Sequence, residues 1–182
     1  GTYLFNALVQ RDFTLNGEDS ILYNDEMTKI QAIVNTDNAV IYGLNAFARV
    51  SITEHLSFNT SYNFTKGTDL ANDVPLEHIA PQFGKINFTF EKDNWNTALY
   101  SLYNFRKKRS DYQDGGDNID LTPNEGGTPP WWTLNYRLSY TFAEIITAQI
   151  AVQNILDLHY RQFASGISAP GRNFMIGLRA NF

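Results

Sequence analysis

The chain has 182 residues, enough for one domain with its own core, and a formal net charge of −5. The acidic balance gives no support to binding nucleic acid or an anionic membrane surface through a basic patch. Cysteine is absent, which excludes disulfides, thiolate metal sites and a cysteine nucleophile. Mean hydropathy is −0.33 and no run of eighteen apolar residues occurs, so no transmembrane helix is predicted.

Apolar and polar residues alternate along several stretches, as they do along β-strands with one apolar face. The predicted strands cover residues 2–11, 31–52, 56–64, 83–90, 95–105, 132–142, 146–153 and 173–182. The alternation is complete in 132–142 and weakest in 95–105. Within 31–52, residues 35–38 are predicted to form a bulge or bend in one tall strand, or a break into two. The pattern predicts about eight antiparallel strands.

The links between these strands alternate in length. Residues 53–55, 93–94 and 143–145 form short links, whereas residues 12–29, 66–81, 106–130 and 156–171 form long ones, with Asn16-Gly17 as a turn signal. Short periplasmic turns and long extracellular loops are typical of outer-membrane barrels, and about ten residues cross a bilayer when tilted. The sequence therefore predicts an all-β fold, an antiparallel transmembrane β-barrel segment. A soluble β-sandwich binding module remains an alternative, because half-buried strands alternate equally well.

Polar residues of the predicted strands fall on one parity. They include Arg49, Lys85, Asn87, Arg137, Gln149 and Arg179. In a barrel these side chains would face the lumen, since an arginine at the lipid midplane costs about 2–4 kcal/mol.

The C-terminal motifs resemble the end of the TonB-dependent outer-membrane receptors. They are Val152-Gln153-Asn154-Ile155-Leu156-Asp157, Tyr160-Arg161 and Ala169-Pro170-Gly171-Arg172-Asn173-Phe174. Ile155 stands where that family usually has leucine. The segment from Asp12 to Gly17 is similar to members from Bacteroidetes.

The resemblance implies a barrel of about 22 strands with a plug in its lumen. Such receptors import siderophores, haem, cobalamin, oligosaccharides or peptides with energy delivered through TonB. Residues 1–182 would then be the C-terminal part of the barrel, lacking the plug and the N-terminal strands. The implied partners are outer-membrane lipid, the TonB complex through the missing plug, the barrel-assembly machinery and the nutrient, without nucleic acid. A self-contained eight-stranded barrel with a structural or adhesive role is the other alternative.

Ligand contacts are expected in the long loops, because function concentrates on connections held by a rigid scaffold. The candidates are Tyr103, Asp111, Tyr112, Asp114, Trp131 and Trp132. The C-terminal aromatic Phe182 resembles the signal read by the barrel-assembly machinery.

No catalytic constellation is present, and neither enzymatic activity nor a cofactor is predicted. His55, His78 and His159 are scattered along the chain. Aspartates recur every three residues from Asp111 to Asp120, and oxygen-rich loops can hold Ca²⁺. The EF-hand spacing is absent, so a solvated acidic loop is favoured and no metal site is predicted.

Overall fold

The computed structural model describes residues 1–113 and 126–180. Its strands are β1 (Thr2–Asp12), β2 (Ser20–Tyr23), β3 (Glu26–Lys29), β4 (Gln31–Ser51), β5 (Leu56–Asp69), β6 (Val74–Pro75), β7 (Phe83–Lys92), β8 (Trp95–Asn104), β9 (Lys107–Lys108), β10 (Gly127–Thr128), β11 (Trp131–Phe142), β12 (Ile146–Gln153) and β13 (Asn173–Ala180). A 3₁₀ turn covers Arg109–Asp111. The all-β, antiparallel prediction is confirmed. No helix within 1–113 or 126–180 is long and apolar enough to cross a membrane.

Contacts divide the chain into two compact units. The first contains Gly1–Gly43, Thr65–Ala80 and Lys107–Pro129, and the second contains Leu44–Phe64, Pro81–Arg106 and Pro130–Phe182. Strands β4 and β5 contribute residues to both units.

The second unit is an antiparallel meander in the order β4-β5-β7-β8-β11-β12-β13. Its short links are hairpin turns, at Asp93-Asn94 and at Ala143–Ile145 for example. Asp93, Ala143 and Glu144 have φ of 51°, 47° and 62°, the left-handed conformation that tight hairpin turns require. The predicted short links are therefore confirmed as tight turns.

The register of this meander places the main apolar rows of its strands on one face, while β8 also has Leu102 on the other. One row runs across six strands and pairs Phe58 with Phe88, Leu99, Tyr136, Val152 and Phe174 in turn. The adjacent row on the other face contains Ser57, Thr89, Ala98, Arg137, Ala151 and Met175.

The apolar face is open rather than packed. On β13, Ile176 is 86% and Leu178 78% exposed. The buried hydrophobic residues among those described are Ala39, Leu76, Ala98, Tyr112 and Ala151, and none of them lies in the apolar rows of the meander. A soluble sheet would bury this face, whereas here the small buried residues Ala98 and Ala151 lie on the polar side.

In the first unit, β1 pairs with β4 from Thr2 opposite Ile41 to Asp12 opposite Gln31. Strand β4 is continuous over 21 residues, so the predicted break at 35–38 does not occur. The neighbouring strand β1 bends at Asn6, which has φ of 53°, and the less exposed side of β1 changes from Leu4 before it to Ala7 and Arg11 after it.

Part of the predicted loop 12–29 is a hairpin that the sequence pattern missed. Strands β2 and β3 pair around Asn24 and Asp25, both with positive φ. The Asn16-Gly17 turn is confirmed, with Leu15 and Glu18 exchanging backbone hydrogen bonds of 2.9 and 3.0 Å.

Both terminal strands of the main sheet, β1 and β13, are edge strands with a partner on one side within the described ranges. That sheet holds nine strands, of which β6 has only two residues.

Candidate functional site

An ion pair with a fully buried carboxylate lies where strands of the first unit end. The guanidinium of Arg11, at the end of β1, bonds to the carboxylate of Asp69, at the end of β5. The Asp69 side chain is fully buried and also accepts hydrogen bonds from the Ala71 N–H, at 2.9 Å, and from Asn72 Nδ2, at 3.2 Å. These bonds compensate the burial of the carboxylate.

The start of the long loop after β8 packs in the same unit. Lys107 is buried; its Nζ donates to the Ile79 carbonyl at 2.8 Å and lies 4.2 Å from the centre of the Tyr112 ring. Tyr112 is also buried, and its hydroxyl bonds to Thr128 Oγ1. Gln113 Nε2 donates to the Gln10 carbonyl at 3.0 Å. The described start and end of the loop are thus held by side-chain contacts, with a ladder of only two residue pairs between β9 and β10.

These elements surround a cavity of about 860 Å³. It is lined by Arg11, Asn72, Val74, Pro75, Arg109, Ser110, Tyr112 and Gln113. Two arginines line it together with neutral side chains, and one of them, Arg11, is paired with Asp69. Arginine is suited to binding an anion with several acceptor oxygens.

Sequence reasoning did not single out the cationic part of this cavity. The feature of the sequence that could have indicated it is the basic run Arg106-Lys107-Lys108-Arg109, which holds four of the 14 lysines and arginines. The acidic net charge obscured that run.

Three of the predicted aromatic residues come together in the second unit. Tyr103, Trp131 and Trp132 line a groove of about 400 Å³ with Ile86, Ser101, Asn104, Phe105 and Pro130. Trp131 also packs on Tyr160, with ring centres 4.3 Å apart, and burial raises the pKa of the Tyr160 hydroxyl.

Tyr103 has an evident structural contact. Its hydroxyl donates to the Ser61 carbonyl at 3.0 Å, and a Cβ on Gly84 would lie 2.4 Å from that hydroxyl oxygen. Gly84 therefore leaves room for the Tyr103 ring to lie across β7.

The other candidate ligand residues are Asp111, Tyr112 and Asp114, and the two that the structure describes lie in different surroundings. Tyr112 lines the first cavity, while Asp111 is exposed and its Oδ2 accepts the Lys108 backbone N–H at 3.1 Å. Asp114 and Phe182 lie outside the described residues, as do the later aspartates of the loop. Ligand contact by any of the six candidates stays a prediction.

No group of potential metal ligands occurs within 1–113 and 126–180. His55 and His78 lie near the carboxylates of their neighbours Glu54 and Glu77, at 3.4 and 3.6 Å, and His159 contacts Ser168 at 2.7 Å.

The C-terminal motif forms a hydrogen-bonded clamp at the base of loop 154–172. Asn154 is buried; its Nδ2 donates to the carbonyls of Leu158 and Pro170, and its Oδ1 accepts the Leu158 N–H at 3.0 Å. Asp157 Oδ1 accepts the Arg172 N–H at 2.7 Å, and Arg172 Nε donates to the Ile155 carbonyl. The Asn, Asp and Arg of the motif therefore fix the loop to the ends of β12 and β13.

Known proteins resemble the chain along most of its length. An iron-regulated outer membrane virulence protein of Vibrio cholerae serotype O1 is 24% identical over 152 residues, which cover 82% of this chain and 22% of that protein. Among solved structures, the copper transporter OprC matches with a TM-score of 0.74 at 18% identity, over 84% of this chain and 24% of that one. A ferric enterobactin receptor of Pseudomonas aeruginosa matches with a TM-score of 0.69 at 15% identity, over 99% of this chain and 28% of that one.

The chain thus spans about a quarter of the length of these proteins. The similarity to Bacteroidetes members stays a prediction, whereas an outer-membrane location is established. The alternative interpretation, a soluble β-sandwich binding module, is wrong. The family consists of receptors and transporters that work with TonB and bind nutrient ligands. A family model described as "TonB dependent receptor-like, beta-barrel" matches residues 5–155, and the chain belongs to this family.

Proposed function

We propose that residues 1–182 form the C-terminal part of the barrel of a TonB-dependent receptor that imports a scarce nutrient and has no enzymatic activity. The observation that carries this proposal is the family match over residues 5–155. The two edge strands, β1 and β13, support it, since each keeps an unpaired edge to which further strands of a larger barrel would add.

The open apolar face of the meander contacts lipid, and the polar face lines the lumen. In water, so much exposed apolar surface would promote association, whereas in a bilayer it is solvated by acyl chains. The long loops then lie outside the cell and the short turns in the periplasm.

We further propose that the nutrient is an anionic metal chelate. The relatives support this class: one is iron-regulated, one is a ferric enterobactin receptor and one is a copper transporter. Arg109, in a cavity on the long-loop side, would bind anionic oxygens of such a complex, while Arg11, which also lines the cavity, is paired with Asp69.

The partners follow from the same proposal. The receptor would take energy from the TonB complex through a plug, and the barrel-assembly machinery would read Phe182. Asp111, Tyr112, Asp114 and Trp131 remain proposed contacts of the nutrient, and no nucleic acid takes part. Tyr103 and Trp132 are no longer proposed as such contacts, because their register places them on the apolar face of the sheet.

The test is uptake of radiolabelled ferric chelate by iron-starved cells that express the full-length protein, with and without functional TonB. Uptake should require TonB. Arg109→Gln should raise the half-saturating concentration about tenfold or more, because a hydrogen bond to a charged group contributes about 1.5–3 kcal/mol. Lys108→Gln is the matched control, since Lys108 is exposed and does not line the cavity.

TonB-independent uptake would contradict the transport proposal, and no uptake of any metal chelate would contradict the proposed class of nutrient. Equal effects of Arg109→Gln and Lys108→Gln would contradict only the assignment of the cavity.

A further inference from the structure

Four of the residues that line the groove in the second unit, Ile86, Ser101, Tyr103 and Trp132, lie on the apolar face of the sheet, whereas the pair of Asn104 and Trp131 belongs to the opposite face. Tyr103 and Trp132 are directly paired in register, and the next pair on this face is Ser101 with Leu134. On the other side, Ser101 is paired with Ile86. The groove therefore continues the surface assigned above to lipid, and this inference rests on that assignment.

Two local features create the groove. Ser101 is a small side chain between Ile86 and Leu134, so it leaves a depression between two large ones. Tyr103 leans across Gly84 to reach the Ser61 carbonyl, two strands away, and so leaves space on the side where Trp132 is paired with it. Phe105, which also lines the groove, meets the Tyr103 ring edge-on, with centres 5.9 Å apart.

The lining is chemically suited to a hydrocarbon chain. It is mostly apolar, and the Tyr103 hydroxyl already donates within the protein. Trp132 and Phe105 remain about half exposed, at 51% and 49%. The groove lies at the long-loop end of the strands, where aromatic side chains meet the boundary between acyl chains and headgroups.

We propose that this groove holds one acyl chain of a membrane lipid in the leaflet at the long-loop end, more tightly than the surrounding lipid is held. The occupant is a membrane lipid rather than a soluble ligand, because the groove opens onto the apolar face of an outer-membrane protein. Its volume of about 400 Å³ lies within the range of small-molecule sites.

The experiment fills the depression at Ser101 with a larger side chain. The full-length protein is extracted in mild detergent, washed, and analysed by native mass spectrometry for retained lipid. Ser101→Leu should lower retention about tenfold or more relative to the unchanged protein, equivalent to about 1.4 kcal/mol. Thr97→Leu is the matched control: it makes a similar change on the same strand and face, beside Phe90 and Leu138, and should leave retention unchanged.

Fluorescence gives a second readout. The protein is reconstituted with lipid brominated along its acyl chains and then washed with detergent. The emission of Trp132, isolated as the difference between the unchanged protein and Trp132→Phe, should stay quenched. The emission of Trp95, isolated in the same way, should recover.

Equal lipid retention in all three proteins, recovery of Trp132 emission on washing, or a retained molecule that is not a lipid would each overturn the inference. These outcomes leave the transport proposal unaffected, because TonB-dependent uptake is measured separately. Conversely, if uptake proved independent of TonB while the lipid was still retained, the transport proposal would fall and the lipid site would stand.

Discussion

Exchanging polarity between two adjacent residues of β11 tests the assignment of the sheet faces. Leu138 lies on the apolar face, paired with Thr97 and Ile150, and Arg137 lies on the opposite face, paired with Ala98 and Ala151. We expect Leu138→Arg to impair folding into bilayers and Arg137→Leu to be tolerated.

The magnitude follows from the depth of Leu138 in the strand. The 12 residues of β11, at about 3.4 Å each and a tilt of about 45°, rise roughly 29 Å, close to the thickness of the hydrocarbon core. Leu138 precedes Phe142 by four residues, or about 10 Å of rise, so it lies near the middle of an apolar band about 25 Å tall. An arginine there costs about 2–4 kcal/mol.

Because Leu138 is slightly off centre, we expect a loss of about 2–3 kcal/mol, or roughly 30- to 150-fold in the folding equilibrium. Arg137→Leu should stay within about 0.5 kcal/mol. The assay is reversible refolding of the full-length protein into liposomes in a urea titration. Equal losses in the two variants would refute the assignment of the apolar face to lipid.

Three further predictions concern polar contacts and close packing. Asn154→Ala removes three side-chain hydrogen bonds at a buried position with φ of 48°. We expect the free energy of unfolding in a urea titration to fall by about 2–4 kcal/mol and loop 154–172 to be cleaved faster by proteases. An unchanged rate of cleavage would contradict the clamp. Arg11→Met leaves the Asp69 carboxylate buried without its cation and should lower the free energy of unfolding by about 3–5 kcal/mol. The double variant Arg11→Met, Asp69→Asn should recover part of that loss, and additive losses of the two substitutions would count against the ion pair. Gly84→Ala places a Cβ 2.1 Å from the Ser61 carbonyl oxygen and should destabilise the β5-β7 pairing, which would be measured as a lower unfolding temperature. Gly177→Ala is the control, because the space around its Cβ is open. Equal unfolding temperatures of the two variants would contradict the packing described.

The long strands were predictable because one physical constraint acts on every second residue. A face that meets lipid must be apolar at each position, and the registers of β5 and of β7 to β13 follow the alternation. The β2–β3 hairpin was missed because its two four-residue strands, SILY and EMTK, show no such alternation. The bend in β1 depends on the positive φ of Asn6, which no neighbouring residue type signals.

The site was predictable only as a set of loops. Long links and aromatic residues pointed to Tyr103, Tyr112, Trp131 and Trp132, but not to which of them share a cavity. Tyr112 is buried because Lys107 and Thr128, remote in sequence from each other, both contact it. Such packing within an irregular loop has no period that a sequence could reveal.

Strand β4 is longer than a bilayer crossing requires. Its 21 residues, at about 3.4 Å each and a tilt of about 45°, would rise roughly 50 Å, some 20 Å more than the hydrocarbon core. Ser51 belongs to the short-turn end, so this excess lies at the Gln31 end, where the β2–β3 hairpin is attached. This end of β4, with β1 paired along it, would therefore lie outside the hydrocarbon core, where water rather than lipid solvates the strand.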